Sequence, residues 1–510
     1  MDALALGIDK VSLSTLRHID AARQYSLRLS DVVAVRVAKG EALVRERVDR
    51  GETVYGVNTG VGPLAGTVID PEQLEDLQLR LILSNAAGVG DPLPETVVRR
   101  AILLKLLSLS SGHCGVSLNL VNTLMEWFNR RMTPVVPSKG SVGASGDLAP
   151  LAHMAAAFCG IGEVQVAGVR LDASKAIEQA GLKPLKPGLK EGAALLNGTE
   201  ISTALGIEGL FRVEDCFGAA MVTASMMIDA GGGTADALDP RIQISRGQRG
   251  QTAVAAASSA LLKDSALQKG ARARIQDPYC LRCHPQVAGA ALDVIGHASE
   301  VLAREIGAVT DNPLVCLDSG DLLYGGNFHA QPIGLAADSL AMAICEIGGI
   351  SERRVAYMMD SNYSGLPPFL VAEGGLNSGF MLGQVTAAAL VSENRSLATP
   401  YSVDSIPTGA NSEDYVSMAT GAARRLLDMT ANLRSIIAIE MLAACQGIDL
   451  RRPAQTSAKL ESVWSAVRDR VDAWDRDRLF APDINAVVSM IEGRDFLMPE
   501  VTGLLPSFND

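Results

Sequence analysis

Aromatic residues are scarce in this 510-residue chain, 4% of the total, and it holds only six histidines and eight cysteines. A core short of aromatic rings has to be built from Leu, Ala, Val and Ile, and abundant Ala and Leu favour closely packed helices. Positive charge is also in short supply: Lys and Arg total 45 against 57 Asp and Glu, a net charge of −12. A nucleic-acid surface needs a basic footprint that this balance does not provide, although a local basic pocket for a small anion is compatible with it. No uninterrupted apolar run reaches membrane length; the nearest, FGAAMVTASMMIDAGGG, is broken by Asp229 and then by glycines, so no membrane partner is expected. The opening MDALALGIDKVSLST carries early acidic residues and no signal-peptide core. Cys280 and Cys283 form a C-x-x-C without a second pair nearby, which argues for reduced thiols in the cytoplasm rather than a zinc or redox centre.

What is there is mostly helical. The length suits two or three structural units. The first 50 residues read as short helices and a strand, with RLSDVVAVRVAKG balanced between the two. From Pro71 to Met132 the apolar spacing is helical, with Leu74, Leu77 and Leu81 in one repeat and Leu103, Leu106 and Leu107 in another. Pro134 and Pro137 are expected to stop the last of these helices. LAHMAAAFCGIG reads as a short apolar helix and GEVQVAGVRLDAS as a hairpin turning at Ala167-Gly168. Long helices resume at Asn197, with loops expected near 230–250, 276–290, 310–328, 360–378 and 400–412. The expected fold is mainly α: a long central helix bundle in residues 197–510, preceded by a more irregular catalytic domain in residues 1–196.

Two glycine-rich stretches carry the chemistry. YGVNTGVG, residues 55–62, lacks the G-x-G-x-x-G spacing and βαβ setting of a dinucleotide loop. Tyr55 at its entrance is a candidate base on a mobile loop. KGSVGASGDLAPLAHM, residues 139–154, lacks the G-x-S-x-G of a nucleophile elbow. It also has its lysine before the glycines rather than at the end of a phosphate loop. An ordinary loop is one reading. The other uses the backbone: the amide nitrogen of Gly146 attacks the carbonyl of Ala144, glycine being the residue that least resists such a fold-back. Loss of water from that ring and from Ser145 leaves a conjugated, electron-poor methylidene group.

The ordered series YGVNTG (55–60), GSVGASGDLAPLAHM (140–154), LLNGT (195–199), QDPYCLRC (276–283), VTDNPL (309–314), GGNFHA (325–330), GLPPFLV (365–371), LNSGFM (376–381) and NSEDYVSMA (411–419) resembles the histidine and aromatic amino-acid ammonia-lyase family over essentially the whole chain. The resemblance implies a methylidene-imidazolone (MIO) electrophile made autocatalytically from Ala144, Ser145 and Gly146, with no metal and no external cofactor. It implies Tyr55 as the base that removes a β-proton and Arg282 as the partner of the substrate carboxylate, a group that a guanidinium fork suits. Asn197, Tyr279 and Glu413 belong to the implied catalytic set, and Asp147 and Phe328 adjoin the electrophile. Asn85, Gln276, Asn312, Met381, Ser412 and Glu413 belong to the implied substrate pocket. His153 and His329 read as structural. The family also implies a homotetramer whose active sites draw on more than one subunit.

Glu413 resembles the acidic residue of the histidine enzymes, where aromatic-amino-acid lyases have an amide-centred pattern; a carboxylate accepts from an imidazole N–H. The expected reaction is elimination of ammonia from L-histidine to give trans-urocanate. Three positions depart from the histidine pattern: Asn85 where SHAAG places a histidine, Ser412 where glutamine is usual, and Val61 where phenylalanine is usual. They keep open a lyase for a substituted histidine or another aromatic amino acid. A 2,3-aminomutase uses the same triad, and a non-enzymatic helical scaffold is the remaining alternative.

Overall fold

The computed structural model describes residues 2–21, 25–269 and 274–509. Twenty α-helices and nine short strands occur among them, the mainly helical fold expected from the sequence. The chain groups into two compact units, residues 1–208, 300–338 and 400–424 in the first and 209–299, 339–399 and 425–510 in the second. The sequence reading divides the chain once, after residue 196; the units are instead discontinuous. Four long helices, Glu200–Ala230, His284–Glu305, Gln331–Met359 and Ala419–Leu450, each have residues in both. Apolar periodicity says that a helix is buried but not against which segment, so such a division is invisible to it.

All nine strands belong to the first unit. The ambiguous stretch near residue 30 resolves into a strand, Tyr25–Leu29, and a helix, Asp31–Asp49. Ser30 separates them by accepting the Val33 N–H at 3.4 Å, an N-cap that satisfies one of the helix's free donors. The hairpin forms as expected, Glu163–Val166 against Val169–Asp172, with Ala167 and Gly168 both at positive φ. The prolines do not stop the helix before them. That helix ends at Asn129, where Arg131 turns left-handed, and Pro134 and Pro137 lie in short strands beyond.

The buried line of helix Leu74–Asn85 is Leu74, Gln78 and Ile82, with Leu77 and Leu81 only partly covered. Gln78, fully buried, donates to Gly56 O at 2.9 Å and accepts from Ala193 N at 3.1 Å. A polar residue thus occupies the centre of an apolar stripe because it joins two backbone segments.

In the second unit the regular elements among the described residues are all helices. The FGAAMVTASMMIDA stretch is buried on all sides in helix Glu200–Ala230, which is why it shows no clear amphipathic period. The loops expected near 230–250 and 276–290 contain helices Pro240–Arg246 and Tyr279–Arg282 and the start of His284–Glu305. The most apolar stretch of helix Gln331–Met359 has the length and mean hydropathy of a membrane span, but 61% of it is buried inside the protein. Charges interrupt its apolar run, and three of them, Asp338, Glu352 and Arg354, are buried. Arg354 pairs with Glu440, both in the second unit, and Asp338 accepts from Ser402 N at 2.9 Å in the first.

Candidate active site

Tyr55 stands between two fully buried valines, Val54 and Val57, which pack with Val44 and Val315. Burying each such side chain contributes about 1.5–3 kcal/mol, so the segment is anchored on both sides of the phenol. The loop expected to be mobile is also bonded to itself. Asn58 accepts from Val54 N at 2.7 Å and donates to Glu52 O at 2.9 Å, and Thr59 accepts from Gly56 N at 3.0 Å. The phenolic oxygen accepts the Gly62 N–H at 2.9 Å.

The Ala144-Ser145-Gly146 segment is clamped from two sides of the first unit. Asp147 N donates to Gly198 O at 2.7 Å, and Met418 N donates to Val142 O at 2.8 Å. Ser417 Oγ donates to Gly143 O at 2.8 Å. Asp147 is fully buried and its carboxylate takes four hydrogen bonds: Ser202 N and Oγ at 2.7 and 2.9 Å, Thr420 Oγ1 at 2.6 Å and Ser141 Oγ at 3.2 Å. Burial pushes its carboxyl above the ordinary range, against the pull of those bonds. Gly146 has φ +81°, and a Cβ there would lie 2.1 Å from Gly198 O, so no other residue fits without displacing the backbone.

Asn197 ends helix Glu191–Leu196, and two buried lysines hold it. Lys105 Nζ donates to Asn197 O at 2.5 Å and to Ala194 O at 3.1 Å while pairing with Glu200 at 2.9 Å. Lys190 pairs with Asp311. The Asn197 amide donates to Asp311 Oδ1 at 3.4 Å and to Asn312 O at 3.0 Å. Asn312 Oδ1 in turn accepts from Gly325 N at 3.0 Å.

These segments surround a cavity of about 530 Å³ in the first unit. Tyr55, Asn85, Ser145, Asn197, Phe328, Ser412 and Glu413 line it, together with Val61, Leu81, Leu148 and Leu196. The three positions that depart from the histidine pattern, 61, 85 and 412, are therefore all in its wall. Asn85 donates its amide nitrogen back to Leu81 O at 2.8 Å, and Ser412 Oγ donates to Gly409 O at 2.7 Å. Glu413 accepts Ser145 Oγ–H at 2.8 Å on one oxygen and Thr408 Oγ1–H at 2.6 Å on the other. Such a cavity joins a hydroxyl-bearing bend, a phenol, an amide and a carboxylate, a set suited to binding a polar ring and moving protons beside it.

Gln276, Tyr279, Arg282 and Met381 belong to the second unit and do not line this cavity. Gln276 and Tyr279 are exposed; Arg282 donates Nε to Asp277 O at 2.8 Å and lies 4.6 Å over the Tyr279 ring. His153 accepts from Gly88 N at 3.0 Å, and burial holds its pKa low, while His329 bonds Tyr415 O at 3.0 Å. All eight cysteines are free, and burial pushes the Cys280 thiol up to about 11. No metal-sized group of acidic, His and Cys side chains occurs among the described residues.

Sequence reasoning missed Gln78, Lys105, Lys190 and Asp311. The available signal was a polar or charged residue inside an apolar run: Gln78 in LEDLQLRLIL and Lys105 in AILLKLLSL.

This chain belongs to the aromatic amino acid lyase family, whose profile matches residues 11–469, and it is accordingly an enzyme of the lyase class. Among its relatives, histidine ammonia-lyase of Desulfotalea psychrophila is 49% identical over 98% of both chains. The crystal structure of histidine ammonia-lyase from Trypanosoma cruzi superposes with a TM-score of 0.90 at 37% identity, covering 99% of this chain and 96% of that one. The ergothioneine-degrading enzyme ergothionase from Treponema denticola, solved with desmethyl-ergothioneine sulfonic acid, superposes with a TM-score of 0.93 at 28% identity, over 97% of this chain and 100% of that one.

Proposed function

We propose that the protein eliminates ammonia from L-histidine to give trans-urocanate, using an MIO group made from Ala144, Ser145 and Gly146. The observation that carries this reading is the single cavity onto which Ser145, Tyr55, Asn197 and Glu413 all open. Kinship with histidine ammonia-lyases over the full length supports the substrate. The triad fits the group: Gly146 already occupies a turn that only glycine tolerates, and the flanking backbone is clamped at Val142, Gly143 and Asp147. MIO supplies a conjugated, electron-poor carbon that no encoded side chain offers.

The chain's own residues do the rest. Glu413 accepts from the imidazole N–H and fixes the ring. Tyr55 Oη takes the β-proton, held in place by the Gly62 amide. Asn197, its amide N–H groups held by Asp311 and Asn312, presents its Oδ1 to the substrate, with Phe328 and Leu148 keeping water from the ring. Arg282 binds the carboxylate, its Nε spent on Asp277 O and its two terminal nitrogens forming the fork. We assign Gln276, Tyr279, Arg282 and Met381 to the site of a second copy in a homotetramer. The exposure of Gln276, Tyr279 and Met381 in the second unit, with exposed Leu382 and Val385 following Met381, supports that assembly. Free cysteines throughout suit the cytoplasm.

A ring-substituted histidine is the second reading, favoured by Val61, Asn85 and Ser412 all lying in the cavity wall. Val61 and Ser412 are smaller than the residues usual in the histidine enzymes, and Asn85 is neutral. The test is a substrate panel of L-histidine, ring-substituted and trimethylated histidines, phenylalanine and tyrosine, with products identified by mass spectrometry. Histidine is expected to give urocanate and free ammonia. A product of unchanged mass identifies an aminomutase, and turnover of phenylalanine or tyrosine alone refutes the substrate.

A further inference from the structure

The hydrogen bond between Ser145 and Glu413 involves the one side-chain oxygen that an MIO triad must lose. Glu413 Oε1 lies 2.8 Å from Ser145 Oγ, while Oε2 is held by Thr408 Oγ1 at 2.6 Å. The carboxylate is aimed by a tight loop. Thr408 and Glu413 pair through their backbones, and Gly409, Ala410 and Asn411 between them all have positive φ. Two consecutive non-glycine residues in that region are strained, and such strain is retained where it positions a functional group.

We propose that Glu413 is also a catalytic residue of the protein's own maturation, carrying the proton that lets Ser145 Oγ depart as water. The inference rests on the MIO reading above. Ring closure comes first: Gly146 N bonds to Ala144 C, and the Ala144 oxygen leaves as water with the amide hydrogens of Gly146 and Ser145. The Ser145 Cα–H is then flanked by a C=N and a C=O, which makes it acidic. In the second step the Cα–H bond breaks, and its electron pair forms the Cα=Cβ bond. The Cβ–Oγ bond breaks with its pair on oxygen. The proton lost from Cα passes to Glu413 and on to Oγ, so a second water leaves and the carboxylate regains its starting charge. Cα is two bonds from Oγ, so one carboxylate serves both atoms.

An acid in the cavity wall is thereby kept satisfied throughout. Before maturation the Ser145 hydroxyl donates to Oε1. Dehydration deletes that donor and leaves Thr408 in place, so Oε1 becomes the acceptor for a ring N–H of the substrate. The serine hydroxyl holds the place of the substrate until the site is finished.

The test is the intact mass of the full chain at intervals after a pulse of expression, with peptide mapping of residues 139–154. Wild type is expected to lose two waters; if it loses none, the MIO reading itself fails. Glu413→Gln is expected to accumulate a species lacking one water with Ser145 still hydroxylated, and to lose the second about 10²–10⁴-fold more slowly, the range of general acid–base effects. Thr408→Val keeps the carboxylate but loosens it and should give a smaller delay at the same step, which keeps the inference testable if Glu413→Gln does not fold. Wild-type rates of double water loss in the folded variants overturn the inference. So does a folded Glu413→Gln chain that loses no water, since the block would then fall at ring closure.

Discussion

Lys190 and Asp311 form an ion pair in the interior of the first unit, each side chain no more than 2% exposed, and Asp311 in turn takes the Asn197 amide. Charge far from solvent is thereby put to use in aiming a cavity residue. Lys190→Met should leave the Asp311 carboxylate buried without its counter-ion and cost about 3–5 kcal/mol of stability. Urea denaturation checks this. The double variant Lys190→Met/Asp311→Asn should recover part of the stability but not the turnover, because the Asn197 amide loses its charged acceptor.

Tyr55→Phe removes one oxygen and little volume. The valines on either side still anchor the segment, and the Gly62 amide that loses its acceptor is open to water. Stability should change by less than about 1 kcal/mol, while kcat falls by about 10²–10⁴. Steady-state kinetics beside a thermal melt separate the two; an unchanged kcat removes Tyr55 from the role of base.

Gly146→Ala should be among the most damaging single-methyl changes in the chain. The new Cβ would lie 2.1 Å from Gly198 O at a φ of +81°, which combines overlap with backbone strain and costs about 3 kcal/mol or more. Ser145→Ala, by contrast, should keep its helicity and lose no more than the single water of ring closure. Circular dichroism and intact mass distinguish a broken turn from an absent hydroxyl.

His284 is buried at the start of its helix, and burial with nearby Arg354 lowers its pKa to about 3 from an ordinary 6.5. Below about pH 6.5 the unfolded chain therefore takes up a proton that the folded chain refuses. The stabilisation is complete above that pH and is lost as pH falls toward about 3, a total on the order of 5 kcal/mol. Glu440, pushed upward by burial, titrates in the opposite sense. Comparison with His284→Leu isolates the histidine: between pH 6 and 4 the variant's stability should fall less steeply, by up to ~1.4 kcal/mol per pH unit. Parallel curves would refute it.

Local features were legible in the sequence because their causes are local. The hairpin at Ala167-Gly168 and the run of helices from Leu74 follow from turn chemistry and apolar spacing. The triad and Tyr55 stood out by composition and by family resemblance. Partners distant in the chain were not legible. Nothing in the spacing of Gln78 says that it meets Gly56 and Ala193, and nothing in the run around Lys105 says that its charge ends on Glu200 and Asn197 O. The helix before Pro134 ended early because Arg131 adopted a conformation that composition assigns to glycine.

The two clamps on the Ala144–Gly146 turn come from very different points in synthesis. Gly198 and Ser202 leave the ribosome some fifty residues after it, but Ser417, Met418 and Thr420 follow only after more than 270. A nascent chain halted at residue 400 holds every atom of the triad and lacks one jaw of the vice that bends it. If bending is what starts the backbone chemistry, the ring cannot close on a fragment. Its presence in a purified molecule then certifies that the distant end of the chain arrived and docked.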